Sequence, residues 1–174
     1  MAIWPFRRSR AERDAERLLA AVTAASRNPA FFGAGKTPDT LGGRFELMTL
    51  HAVLALVRLE REPAREPLAQ AFTDQLFRQF DAGLREAGVG DTSVPKRMHR
   101  MAGDFYGRLK AYADGLSDAE EAALTDALAR NLLSGQAPAF AVQLAKYARA
   151  AAAAQAAAPV EALMDADGWP PLAS

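Results

Sequence analysis

The longest apolar segment of the sequence lies near its middle, between Phe45 and Leu59. Eleven of these fifteen residues are apolar, and the unbroken run from Ala52 to Val57 is six residues long. At about 100° per residue the polar side chains do not gather on one side, and a helix that is apolar nearly all round is buried by its neighbours. A bilayer needs about 20 apolar residues, so the pattern predicts a core helix around which the other segments pack.

Amphipathic spacing predicts further helices on both sides of this central one. Their expected boundaries come from Pro, Gly and capping residues, including two Ser-x-x-Glu capping boxes at Ser9/Glu12 and Ser117/Glu120. A loop rich in Gly and Pro is expected over residues 29–43. The predicted helices span residues 9–28, 44–59, 67–87, 93–115, 117–135 and 138–158, followed by a short turn at 160–164 and a tail at 168–171.

Nothing in the sequence divides this succession of helices. There is no alternating strand pattern of any length, no fixed-period repeat and no long linker. The length of 174 residues suits one domain with a real core. The sequence therefore predicts an all-α, single-domain bundle of about six helices over residues 1–174. We expect the core at 9–158, with 1–8 and 159–174 as flexible or docked termini.

The composition excludes several classes of function. The 21 basic and 21 acidic residues cancel, so no overall charge attracts nucleic acid, and none is expected as a partner. There is no Cys and there are only two His. This excludes disulfides, thiolate or histidine-rich metal sites and a cysteine nucleophile. Because no other catalytic constellation is present, we expect a non-enzymatic protein that uses no cofactor.

The N-terminal segment places Ile3, Trp4 and Phe6 before arginines at positions 7, 8 and 10. A secretory signal has its charges first and a longer apolar run, so we expect a cytoplasmic protein. Two alternatives remain open for this segment. It docks on the protein's own core, or its aromatic and arginine side chains contact the cytoplasmic face of the inner membrane.

Two glycine patterns have structural rather than functional interpretations. Gly33–Thr37 looks like the end of a phosphate-binding loop, but Ala30 stands where the first glycine is required and Pro38 follows where a helix should begin. The nucleotide interpretation is therefore rejected. Gly103 and Gly107 lie four residues apart in a predicted helix, and this spacing favours close contact between two helices of a soluble bundle.

Three polar residues of the central segment, Arg44, Glu46 and His51, are candidates for a site. His51 has no second ligand at metal-binding spacing, which favours a hydrogen-bonded core residue. Glu46 is explained by the helix dipole in the first turn or, more sharply, as a buried carboxylate paired with an arginine of the fourth helix. An alternative function, a bundle that binds a quinone-like or lipid ligand, would need an enclosed apolar pocket beside His51 and Glu46, although the spacing does not require one.

The fourth predicted helix carries the strongest local charge. Six basic or histidine side chains fall within fifteen residues against the single acid Asp104, next to an apolar stripe. Such a run is either a solvated face or a basic groove that grips another helix, since Met suits adaptable apolar surfaces. The residues concerned are Lys96, Arg97, Met98, His99, Arg100, Met101, Phe105, Tyr106, Arg108 and Lys110.

Several ordered blocks of sequence resemble the ubiquinol–cytochrome c chaperone family. They cover about residues 30–133, with weaker similarity in the Ser9–Asn28 segment. The blocks are Pro38-Asp39-Thr40, Gly43-Arg44-Phe45-Glu46-Leu47, Leu50-His51, Leu84 to Asp91, Val94 to Met98, Met101-Ala102, Phe105 to Arg108 and Ala129 to Leu132.

The resemblance implies a non-enzymatic assembly factor of a bacterial type. Its mitochondrial members help newly made cytochrome b become part of ubiquinol–cytochrome c reductase, together with a small partner protein. The implied partners here are cytochrome b or another subunit of a respiratory complex, with peripheral contact to the inner membrane.

Combining the two lines of reasoning, we expect the client to be held by a basic, Met-lined and aromatic-lined helical surface. Met98, Met101, Phe105 and Tyr106 are expected to contact the client. Lys96, Arg97, Arg100 and Arg108 are expected to steer it, and Arg44, Glu46 and His51 complete the predicted partner-binding set. The alternatives are a helical interaction module for a soluble partner and the quinone-binding or lipid-binding bundle mentioned above.

Overall fold

The computed structural model describes residues 8–173, apart from the side chain of Asp167. Within this range the chain forms six α-helices and no strand, which confirms the predicted all-α, single-domain fold. The two alternatives for the aromatic residues at positions 3–6 lie outside the described residues. The helices are α1 (Arg10–Ser26), α2 (Leu41–Glu60), α3 (Glu66–Glu86), α4 (Val94–Ser117), α5 (Glu121–Asn131) and α6 (Pro138–Ala157).

Helix α2 is the central helix that the apolar pattern predicts. Twelve of its twenty residues are buried, and they point in all directions around the helix axis. It contacts α1, α3, α4 and α6, so the polar side chains within it must find partners inside the protein.

The start of α2 differs from the predicted one. The helix begins at Leu41, because the Thr40 hydroxyl accepts a hydrogen bond from the Gly43 amide at 3.1 Å and caps the first turn. A Cβ atom at Gly43 would lie 2.0 Å from the Pro38 carbonyl oxygen. Gly43 is thus a helical residue that lets the preceding loop cross closely, and not the end of that loop.

The two predicted capping boxes have opposite outcomes. The Ser9/Glu12 box is formed as expected at the start of α1. The Ser117/Glu120 box is wrong, because α4 continues to Ser117 and the Asp118 carboxylate accepts from the Glu120 amide. Gly115, the predicted end of this helix, lies inside α4. A Cβ atom at Gly115 would lie 2.9 Å from Leu124 Cα, so the glycine allows α4 to pack closely on α5.

The segment after α6 packs against the bundle. Val160–Met164 forms a 3₁₀ turn, and a second short turn spans Ala166–Gly168. Trp169 is buried and its indole N–H donates to the Leu163 carbonyl at 3.0 Å. The side-chain amide of Gln155 on α6 donates to the Gly168 carbonyl at 3.1 Å. The first bond closes this segment on itself, and the second ties it to α6.

Candidate partner-binding site

An ion pair between α2 and α4 joins two residues of the predicted set. The Arg108 guanidinium donates through Nε and Nη2 to the two Glu46 oxygens, both at 2.6 Å, and each side chain is only 14% exposed. Burial raises the pKa of the Glu46 carboxyl against the opposing effect of Arg108. The prediction of a carboxylate paired with an arginine of the fourth helix is confirmed. The first-turn explanation fails, because α2 begins five residues before Glu46.

This pairing corrects the role expected for Arg108. Its guanidinium also donates to the Asp104 carbonyl at 3.0 Å and lies 6.0 Å from the centre of the Phe45 ring. A cation held by a bidentate carboxylate and a backbone oxygen is not available to steer a client. Arg108 and Glu46 instead fix the position of α4 on α2.

His51 is a core residue and does not face a partner. Its Nδ1 donates to the Leu47 carbonyl at 2.8 Å, and its Nε2 accepts from the Tyr147 hydroxyl at 2.9 Å. Complete burial lowers the pKa of His51 to about 4, so the ring is neutral. The space beside it is filled by Phe31 and Trp169, with ring centres 5.3 and 5.5 Å away. The pocket beside His51 that the quinone-binding alternative would need is therefore absent, and direct partner contact by His51 is excluded.

The apolar stripe of α4 does not form one surface. Phe105 is fully buried, whereas Met98 and Met101 are partly buried and Tyr106 is 54% exposed. Phe105 packs edge-to-face on Phe77 of α3, with ring centres 5.4 Å apart. Because successive helical residues differ by about 100°, Tyr106 points away from the side that carries Met101. Phe105 is thus a core residue rather than a client contact.

A groove of about 560 Å³ opens where α1, α2, α3 and α4 meet. We call it the four-helix groove. Leu41 stands at it with 48% of its surface exposed. Apolar side chains of three different helices line it, namely Phe45, Met48, Phe80, Leu84 and Met101.

Basic side chains surround the four-helix groove. Arg27, directly after α1, and Arg44 of α2 line it, and Arg44 is ion-paired with Asp39 at 2.7 Å. Arg97 stands one turn before Met101 on α4 and is therefore its neighbour on the helix surface. Among the described residues, no carboxylate lies within ion-pair distance of Arg97 or Arg100. Glu86 is the acid on this lining and Asp39 is paired with Arg44, so in the described part of the chain the cations left without a carboxylate partner here are Arg27 and the neighbouring Arg97.

The groove contains residues that the sequence analysis missed. Leu41 was placed in a loop, and Phe80 and Leu84, which are 7% and 4% exposed, were not singled out as part of a site. The signal for Phe80 and Leu84 was present in the strong amphipathic pattern of α3. Which part of that stripe lies at the floor of a groove depends on how the helices meet, and a one-dimensional pattern does not contain that information.

Other candidate sites receive a structural explanation. The Thr37 amide donates to the Phe31 carbonyl at 3.2 Å, and the Gly33 amide donates to the Thr37 carbonyl at 3.3 Å. These amides are engaged within the loop, in agreement with the rejection of a nucleotide site.

No group of three or more His, Cys, Asp or Glu residues suited to a metal occurs in residues 8–173. No helix in the same part of the chain is long and apolar enough to cross a bilayer.

The two glycines of α4 do not have the expected role. A Cβ atom at Gly103 or Gly107 would meet nothing within 4 Å, and both residues are exposed. The predicted close contact with another helix of the bundle is therefore wrong. Both positions lie on the solvent side of α4, opposite to Phe105.

The structure is an all-α bundle with an open, partly apolar groove between four of its helices. The chain belongs to the ubiquinol–cytochrome c chaperone family, whose model matches residues 34–168. A crystal structure of the Cbp3 homolog from Brucella abortus is similar. It has 37% sequence identity and a TM-score of 0.78, and the match covers 90% of this chain and 87% of that one. No curated protein matches the sequence.

The family assignment confirms the resemblance seen in the sequence blocks. It supports a chaperone role in the assembly of complex III and a partner that belongs to a respiratory complex. It also agrees with the expectation of a protein that is not an enzyme.

Proposed function

We propose that this protein holds newly made cytochrome b before it joins ubiquinol–cytochrome c reductase, and that the four-helix groove is where it does so. The observation that carries the proposal is an open groove with a partly apolar lining beside two exposed cations, Arg27 and Arg97. Family membership supports a role in the assembly of ubiquinol–cytochrome c reductase. The groove is a place where an unassembled apolar helix can be shielded from water.

The size of the groove indicates how much of a client it covers. A helix of 20 residues is about 30 Å long and about 10 Å across, which is far larger than 560 Å³. The groove therefore takes a few side chains from one face of a client helix, at spacings of three and four residues. The unbranched Met48 and Met101 side chains adapt to different occupants.

The exposed basic side chains near the groove are proposed to orient the client. Arg27 and Arg97 are exposed, and exposed cations act mainly on the rate of encounter and on which end of the client enters first. They also favour contact with anionic lipid headgroups, so hand-over at the cytoplasmic face of the inner membrane is part of the proposal.

The test replaces an exposed groove residue by an acid. Leu41→Asp places a charge at the groove without altering the core, because Leu41 is 48% exposed. We expect cytochrome b captured from detergent extracts to fall at least about fivefold, since a charge in an apolar contact must be desolvated. The b-haem signal in reduced-minus-oxidised spectra of membranes should fall as well.

The matched control is Val142→Asp on α6, where the side chain is 43% exposed and lies away from the groove. This variant should capture cytochrome b as the natural protein does. Equal capture by the Leu41 variant would show that the groove is not the client site. Normal b-haem and c-haem signals in a deletion strain would argue against the assembly role itself.

A further inference from the structure

A second surface lies on the solvent side of α4, away from the four-helix groove. We call it the outward face of α4, and its members share exposure to solvent on one side of one helix. They are Lys96, Arg100, Gly103, Tyr106 and Gly107.

One margin of this face carries an aromatic side chain that is held in place from below. Tyr106 is 54% exposed, yet its ring stacks on Phe77 with centres 6.0 Å apart and meets the edge of Phe105 at 5.5 Å. A large side chain that is rigid before binding loses little conformational entropy when a partner covers it. Exposed aromatic anchors of this kind are enriched at the energetic centres of interfaces.

The two glycines leave the backbone bare beside Tyr106, one about a turn before it and one directly after it. Glycine in an exposed helix is less favourable than alanine, and nothing within 4 Å of Gly103 or Gly107 would oppose a Cβ. The fold of this chain therefore gives no reason for glycine at either position. Bare backbone does allow a second helix to approach more closely than side chains would permit.

The charge on this face selects the partner. Of the basic side chains of α4, Arg108 is paired with Glu46 and Lys110 with Asp114, and Arg97 lies on the groove side. Lys96 and Arg100 are exposed, and no carboxylate among residues 8–173 lies within ion-pair distance of either. An unneutralised basic edge beside an apolar centre is complementary to a helix with acidic edges.

We infer that the outward face of α4 is a second docking surface, and that it binds one amphipathic helix of a separate protein with small residues at its centre and acidic residues along its edges. The partner backbone lies over Gly103 and Gly107. Its acids face Lys96 and Arg100, and its apolar side chains cover the ring of Tyr106. This inference stands on residues that do not line the groove.

The test uses a synthetic helical peptide of about 18 residues, or five turns, with Ala along one face and Glu along both edges of that face. A matched peptide carries Gln in place of Glu. Binding to the full-length protein is followed by fluorescence anisotropy. We expect the Glu peptide to bind at least about tenfold more tightly than the Gln peptide, with affinity falling as NaCl rises from about 50 to about 300 mM.

The discriminating variant is Gly103→Ala combined with Gly107→Ala. It should raise the melting temperature of the free protein, because alanine favours the helix, and weaken Glu-peptide binding at least about tenfold. Lys146→Glu, which reverses an exposed basic side chain on α6, should stay within about twofold of the natural protein. A protein that becomes more stable yet binds less tightly cannot have lost binding by misfolding.

Several outcomes would overturn the inference. No saturation by the Glu peptide at about 1 mM, or unchanged binding after both glycine substitutions, removes the docking surface. Self-association in sedimentation runs that the glycine substitutions abolish would assign the face to a second copy of this chain. Displacement of the peptide by a single-stranded RNA oligonucleotide at lower concentration would assign it to nucleic acid.

Discussion

At the level of single residues, the polar side chains of His51 and Glu46 in α2 are stabilised in different ways. His51 stays neutral because burial disfavours its charge and because a carbonyl and a hydroxyl satisfy both ring nitrogens. Glu46 faces a guanidinium across two 2.6 Å hydrogen bonds. Removing one partner of either arrangement leaves a buried polar atom unsatisfied. Their neighbourhood in the sequence suggested one site, but their surroundings give each a structural role.

The depressed pKa of His51 predicts how stability depends on pH. Its pKa is about 4 in the folded protein and about 6.5 when unfolded, so the unfolded state binds the extra proton between these values. Stability is therefore complete above about pH 6.5 and is lost as the pH falls towards 4. Between pH 6.5 and 5 the loss should be about 2 kcal/mol, measured by urea unfolding across the pH range.

Two substitutions separate this effect from other titrations. His51→Gln is expected to be less stable at pH 7 but to show a flatter pH profile in that interval. His99→Gln removes the exposed histidine of α4 and should leave the profile unchanged. An equally steep profile in the His51 variant would mean that other groups cause the acid sensitivity.

At the level of elements, close approaches between chain segments set helix boundaries that local patterns misplace. Gly43 and Gly115 were both assigned to helix boundaries, but both lie inside helices. Each is at a point where another segment occupies the space that a Cβ atom would take. Glycine occurs both at turns and at close contacts between segments, so the sequence alone does not distinguish the two. The type and order of the six helices followed from apolar spacing, whereas these boundaries depended on neighbours far along the chain.

The crossing at Gly43 gives a test that compares two helical glycines. Gly43→Ala should destabilise the protein by roughly 1–3 kcal/mol, because its Cβ would meet the Pro38 oxygen at 2.0 Å. Gly83→Ala in α3, where a Cβ meets nothing within 4 Å, should be neutral or stabilising by up to about 1 kcal/mol. Thermal and urea unfolding measure both. Equal effects of the two substitutions would contradict the crossing of loop and helix.

At the level of the whole molecule, the bundle divides one predicted basic helix between two surfaces. Met101 and Arg97 lie on the groove side of α4, whereas Tyr106 and Arg100 lie on the outward face. Arg108 and Phe105 lie on the side of α4 that faces the bundle, and they attach the helix to the core. A protein with two separate surfaces can hold a client and contact a second protein at the same time.

Separate surfaces predict independent losses of function. Leu41→Asp should reduce cytochrome b capture and leave binding of the acidic peptide within about twofold. The double alanine variant at positions 103 and 107 should show the reverse, because distant sites without shared partners act additively. Measuring both activities on both variants checks this. If each substitution weakens both activities, the two surfaces are coupled or form one site.

The sequence by itself determined that this chain is an all-α bundle around one apolar helix, that it has no cysteine chemistry, and that its motifs match an assembly-chaperone family. These properties follow from composition, periodicity and ordered local motifs, which are one-dimensional. Only the tertiary structure decided that Arg108 and His51 are internal, that Leu41, Phe80 and Met101 meet in a groove, and that the glycines of α4 face solvent. The physical reason is that access to solvent depends on which helices pack together, and a residue's own helix fixes only the direction in which its side chain points.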